Sequence, residues 1–265
     1  MISGPVRASK VFSVTALFAA LCWGGLNPSG ARADVVFTAT GTGSDGALAA
    51  TLDFKAINGG LEVTVTNSLP STGTIKRGEA ISAFGFSVSG LSTPTSFYEL
   101  SGNKVNSAGF GSTFPGTSTI TAFNDTSSTN VIDHWGLATS GSSVVLGTAG
   151  SAAAPGNPIY MILPVAGITG PGASLSNGHF DPYVLGSANF FLADAGITAS
   201  TVLTAANLSG VTVGFGTTPD TTLTAQVAPE PASLTLLAIG CVTLGAIGLR
   251  RRQQPMSLAP AAQSL

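Results

Sequence analysis

Residues 48–67 read "LAATLDFKAINGGLEVTVTN". Leu48, Ala50, Leu52 and Phe54 alternate with Ala49, Thr51, Asp53 and Lys55. Asn58-Gly59-Gly60 follows, a group tolerant of positive φ, and then Leu61, Val63 and Val65 alternate with Glu62, Thr64 and Thr66. Period two, a turn and period two again spell a β-hairpin with one buried and one wetted face.

Outward from this hairpin the same grammar recurs. Short strand candidates are "DVVFTAT" (34–40), "AFGFSVSG" (83–90, with Phe84, Phe86 and Val88 on one side), "TSFYEL" (95–100), "STITAF" (118–123) and "SVVL" (143–146). "IYMILPV" (159–165), "ANFFLA" (188–193), "GVTVGF" (210–215) and "TLTAQV" (222–227) complete the set. "IYMILPV" has no polar alternation and reads as a central strand buried on both faces. Gly, Pro, Ser and Asn clusters separate these runs, and "GTAGSAAAPGNP" (147–158) reads as a surface loop. "ITASTVLTAANL" (197–208) is the one candidate for a short helix, weakened by its β-branched residues. Many short strands without a fixed-period repeat predict an all-β body over 34–227, a single jelly-roll-like β-sandwich.

Composition narrows the function. Only 8% of the 265 residues are charged, and net charge is −2. Its distribution is uneven: residues 34–227 hold four basic and eleven acidic side chains, net −7. That balance excludes a basic footprint for nucleic acid. Both cysteines, Cys22 and Cys241, lie in the terminal apolar segments, so the body has no disulfide framework and no thiol nucleophile.

Candidate chemistry in the body is sparse. His134 in "VIDHWGL" and His179 in "NGHFDPY" are the two histidines, with Asp133 and Asp181 beside them. Such pairs are able to form an acid/base or metal site. No HExxH, GxSxG or nucleotide-binding glycine pattern accompanies them. The plainer reading puts Trp135 and Phe180 in the core, with the histidines bonded to loop backbone. Asp125, Asp133, Asp181 and Asp220 offer oxygen ligands of the kind Ca²⁺ takes, but aspartate also favours turns by bonding its own backbone. We therefore expect solvated turn residues, no resident metal, no cofactor and no catalysis.

The two ends are of another kind. Arg7 and Lys10 precede an uncharged apolar run, Val11 to Trp23, and Ala31 and Ala33 supply small residues before Asp34. This is the plan of a secretory signal over 1–33, with signal peptidase cutting before Asp34. Leu21 stands before Cys22, where a lipoprotein site needs a small residue. At the other end, Pro229-Glu230-Pro231 forms a stiff, extended joint. Ala232 to Leu249 is 18 residues without a charge, and Arg250, Arg251 and Arg252 follow. As a helix that run spans roughly 27 Å, near the bilayer's hydrocarbon thickness. The arginines should stay cytoplasmic with the tail 253–265, so the body faces outward.

Pro-Glu-Pro, an apolar span and an arginine cluster, in that order over 228–252, resemble the PEP-CTERM sorting signal of Gram-negative bacteria, also called an ice-binding-protein C-terminal domain. The resemblance covers about the last tenth of the chain. It implies that Pro229, Glu230 and Pro231 are the motif recognised by an exosortase, a membrane-embedded cysteine protease/transpeptidase. It implies also that Arg250 to Arg252 are the stop, and that the protein associates with exopolysaccharide at the outer envelope. The expected protein is an exported, non-catalytic envelope or matrix component, first anchored in the inner membrane. Two alternatives stand beside it. One is a carbohydrate- or ice-binding sandwich, suggested by threonines at i, i+2 in "FTATGT" and "VTVT". The other is a secreted hydrolase or lyase using the histidines.

Overall fold

The computed structural model describes residues 34–70, 73–106, 120–127, 130–148, 158–165, 168–171, 175, 178–218 and 221–228. The predicted leader at 1–33, the whole of 229–265 and most of the predicted loop at 147–158 lie outside the described residues. Among the described residues the secondary structure is strand, with only three-residue 3-10 turns beside it, so the chain is all-β. No helix among them is long and apolar enough to cross a membrane.

The hairpin forms as its alternation demands. Strand β1 (Val35–Gly43) pairs antiparallel with β2 (Gly46–Ile57), and β2 with β3 (Gly60–Asn67). Leu52, Phe54, Val63 and Val65 are fully buried, while Thr51, Asp53, Thr64 and Thr66 are half-exposed. Gly59 takes φ 86° at the turn, a conformation that favours glycine. Gly60 is needed for a different reason: a Cβ there would fall on the Leu192 carbonyl of the next strand.

The remaining strands are β4 (Gly73–Ile75), β5 (Ile81–Val88), β6 (Ser96–Val105), β7 (Thr121–Thr126), β8 (Val131–Ile132), β9 (Trp135–Ser140) and β10 (Ser143–Gly147). After them come β11 (Ile162–Leu163), β12 (Ile168–Pro171), β13 (Tyr183–Ala193), β14 (Leu208–Phe215), β15 (Thr221–Thr224) and β16 (Gln226–Val227). Fourteen of these sixteen described strands form one branched, mixed sheet, and β4 pairs with β12 apart from it. One arm centres on β13, with β3-β2-β1-β16 on one side and β6-β7 on the other. The second centres on β5, flanked by β10-β9-β8 and by β14-β15. The two-residue β11 joins the arms, parallel to β13 and antiparallel to β5.

Apolar side chains from both arms meet in one cluster. Phe54 of β2 lies edge-on to Phe86 of β5 at 5.1 Å, and Phe190 of β13 touches Phe84 at 4.9 Å and Trp135 at 4.8 Å. None of these pairs belongs to neighbouring strands. Edge-to-face aromatic pairs contribute beyond the area they bury. A smaller cluster holds Ile75, Val105, Met161, Leu163, Phe180 and Tyr183.

Several expectations are met and several are corrected. "IYMILPV" is buried on both faces only over 160–164, where Ile162 faces the large cluster and Met161 and Leu163 the small one, while Val165 is exposed. It supplies only two strand residues, however. "AFGFSVSG" buries its second face as well, since Gly85 is small enough for Val145 and Thr212 to close beside it, and Ala83 stands between Gly147 and Gly214. "TLTAQV" breaks at Ala225: Leu223 pairs with Val213 of β14, whereas Gln226 and Val227 pair with Thr38 and Phe37 of β1. "STITAF" gives way to a strand beginning at Thr121. "ITASTVLTAANL" is not a helix. Thr201 Oγ1 accepts from the Thr198 N–H, Thr198 Oγ1 from the Ser200 N–H, and Asn207 Oδ1 from the Thr204 N–H. Such side chains offer the backbone an alternative to helical bonding, and only Ala205–Asn207 turns as a 3-10 segment.

Candidate functional site

Register turns scattered polar residues into an ordered surface. On the outward face of the β13 arm, Thr38, Thr51, Thr66 and Ser187 stand in one row across β1, β2, β3 and β13. The next row is Asp53, Thr64, Asn189, Ser101 and Asn124, reaching β6 and β7. A third runs Lys55, Glu62, Phe191, Glu99 and Thr126. Every member is half-exposed or exposed. Rows lie about 7 Å apart along the strands and neighbours about 4.8 Å apart across them. Thr64 Oγ1 donates to Asn189 Oδ1 at 2.8 Å, which fixes two of these groups. Beside the rows, Tyr98, 49% exposed, meets Phe191 edge-on at 6.0 Å. Burial, with Asp34 and Glu62 nearby against the opposing Lys55, raises the Asp53 pKa above the usual carboxylate range. Hydroxyls, amides and carboxyls beside an exposed aromatic ring are the groups that bind sugar hydroxyls and ring C–H faces.

The sequence-predicted residues are distributed as follows. Asp34 is exposed, directly before β1. Ala31, Ala33, Pro229, Glu230, Pro231, Arg250, Arg251, Arg252 and Asp220 lie outside the described residues. His134 is exposed in the two-residue turn between β8 and β9. His179 is exposed and lies edge-on to Phe180 at 5.5 Å, beside the smaller cluster. Trp135 and Phe180 are buried as expected, in different clusters. The indole N–H of Trp135 donates to the Tyr160 carbonyl at 3.0 Å. Among the described residues no three His, Cys, Asp or Glu side chains converge as a metal site.

Two of the four aspartates do come together. Asp133, at φ 47° in the β8–β9 turn, faces Asp125 of β7. Its Oδ2 is buried and receives no donor from a neighbouring group. Burial, then the hydrogen bond and repulsion from Asp125, push the Asp133 pKa up to about 7, with Lys104 opposing. Two ionised carboxylates would both be acceptors, so a donor joins the pair only when one of the two carboxyls holds a proton. Tyr160 packs on Phe123 at 5.4 Å, and burial with these two carboxyls pushes its pKa up to about 12. Lys104 lies over the Phe123 ring at 5.7 Å.

A cleft of about 110 Å³ is lined by Ser44, Asp45, Arg77, Phe215, Thr217 and Thr221, away from both histidines and the aspartate pair. Pockets for drug-sized ligands run to roughly 300–1,000 Å³. Comparison with protein-family models, curated proteins and solved structures finds no match to this chain.

Proposed function

We propose that this is an exported, non-catalytic protein of the bacterial envelope or extracellular matrix, delivered by a PEP-CTERM-type signal and held against exopolysaccharide. One observation carries the reading: Pro-Glu-Pro, 18 uncharged residues and three arginines stand in that order at 229–252. Geometry lends support. The Ala228 N–H donates to the Val36 carbonyl at 2.8 Å, so among the described residues backbone pairing with the β body reaches the residue before Pro229. Ala228, the residue before the motif, thus lies beside β1, the strand with which the secreted body would begin. In this reading signal peptidase cuts before Asp34, residues 232–249 cross the inner membrane, and an exosortase acts at Pro229–Pro231. We also propose that the two arms close over one another as a jelly-roll-like β-sandwich, which the Phe54–Phe86 and Phe190–Trp135 contacts support.

The delivery reading is tested by replacing Pro229, Glu230 and Pro231 with alanine and fractionating the producing cells. The substituted protein should accumulate uncut in the inner membrane and disappear from the surface and matrix fractions. An unchanged distribution would refute it.

A second reading, glycan binding by the body itself, is favoured by the aligned rows and the Tyr98–Phe191 pair. Electrophoresis through gels containing the producer's polysaccharide should show retardation, reduced in Tyr98→Ala and Thr66→Lys. Thermal hysteresis without retardation would instead favour ice as the ligand.

A further inference from the structure

The β8–β9 hairpin ends the β5 arm, with a turn of two residues between the buried Ile132 and Trp135. β8 has only two residues, Val131 and Ile132. The turn consists of Asp133 and His134, both non-glycine residues in the left-handed region, with φ 47° and 65°. Such conformations each cost about 1–3 kcal/mol and persist only where neighbours over-determine them. One fastening is the Trp135 indole on the Tyr160 carbonyl. Another is the Asn130 side chain, whose Oδ1 accepts from the Phe97 N–H at 3.3 Å. The third is the carboxyl pair. Asp133 Oδ2 is closed off from solvent without a hydrogen-bond partner, and the Asp133 carboxyl meets that of Asp125 on β7.

We propose that Asp125 and Asp133 form an acid clasp that fastens the β8–β9 turn to β7 and lets it go as the shared proton is lost. The other titratable or charged groups around the clasp are Lys104 on β6, Tyr160 ahead of β11 and His134 within the turn. With the proton in place the two carboxyls attract. Without it, two like charges face one another beside buried aromatic rings, and the strained turn has every reason to open. The sign follows from the raised pKa of Asp133. The fastened state binds the proton more tightly than the open state, where Asp133 returns to the usual aspartate range. Fastening is therefore complete below about pH 4, weakens as pH rises, and is lost by about pH 7. A protein outside the cell meets ambient pH directly, but the clasp does not depend on that location.

Hydrogen exchange on the full-length protein in detergent micelles tests this, after correction for intrinsic exchange rates. Protection across 130–137 should fall at least tenfold between pH 4.5 and 7.5, while protection across the 48–67 hairpin stays level. In Asp133→Asn the amide keeps a donor aimed at Asp125, and asparagine tolerates positive φ, so the fall should vanish. Equal protection of 130–137 at both pH values would overturn the proposal, and so would a fall that persists in Asp133→Asn. Should that variant fail to fold, the carboxyl carbon of Asp133 is followed by NMR in the unaltered protein. A midpoint in the ordinary aspartate range would overturn the clasp, and one near neutrality would support it.

Discussion

Phe190→Ala is expected to lower the free energy of unfolding by about 3–5 kcal/mol. Phe190 is fully buried and touches rings from three other strands: Phe84 of β5, Phe97 of β6 and Trp135 of β9. Removing the ring forfeits its transfer free energy and leaves a cavity that those neighbours are too constrained to fill. Whole domains are stable by only about 5–15 kcal/mol, so the variant should stand near the edge of folding. The next residue provides the control. Phe191 sits on the opposite face, half-exposed, and meets Tyr98 edge-on. Phe191→Ala should cost about 1 kcal/mol. Equilibrium urea unfolding separates the two through their midpoints at constant slope. A Phe190→Ala midpoint shifted no further than that of Phe191→Ala would mean that the arms do not share one core.

Phe190 and Phe191 also mark how far local pattern reaches. Alternation in "LDFKA" and "LEVTV" dictated both the hairpin and the buried face, because a half-wetted strand has no other way to dispose of its apolar side chains. The pattern fails where burial is two-sided. "AFGFSVSG" alternates ring with small residue, and the small side reads as wet until β10 and β14 close on it. "WGLATS" went unread because only Trp135 and Leu137 are large and apolar among residues 135–140. Partnership is less legible than strand existence. The threonines of "FTATGT" and "VTVT" are separate pieces in the sequence, and only the β1-β2-β3 register joins them through Thr51. Asp125 and Asp133 lie eight positions apart, yet they meet because β7 pairs with β6 while β8 turns back on β9. No local periodicity encodes that meeting.

Asn67 shows the same limit at a buried position, and substituting it should have the second largest effect. It follows Leu61, Val63 and Val65 on the inward face of β3 and is 3% exposed. Its amide Nδ2 donates to the Glu79 carbonyl at 2.8 Å and to the Ile162 carbonyl at 3.0 Å. Its Oδ1 accepts from the Leu69 N–H at 3.3 Å. One side chain thus fastens the end of β3 to the 3-10 turn before β5 and to β11, the strand that joins the two arms. Leucine has the same number and branching of side-chain heavy atoms as asparagine and is larger, so the cost of Asn67→Leu is not a cavity. Two buried carbonyls lose their side-chain donor, at about 1–3 kcal/mol each, and the expected loss is about 3 kcal/mol in urea unfolding. Asn67→Asp discriminates the mechanism. An ionised carboxylate would face both carbonyls with no donor at all, whereas the protonated form restores one. Asn67→Asp should therefore be less stable than Asn67→Leu at pH 7 and recover on acidification through the range of its raised pKa. If Asn67→Leu unfolds within about 0.5 kcal/mol of the parent, the two carbonyls find other donors and β11 is held by packing alone.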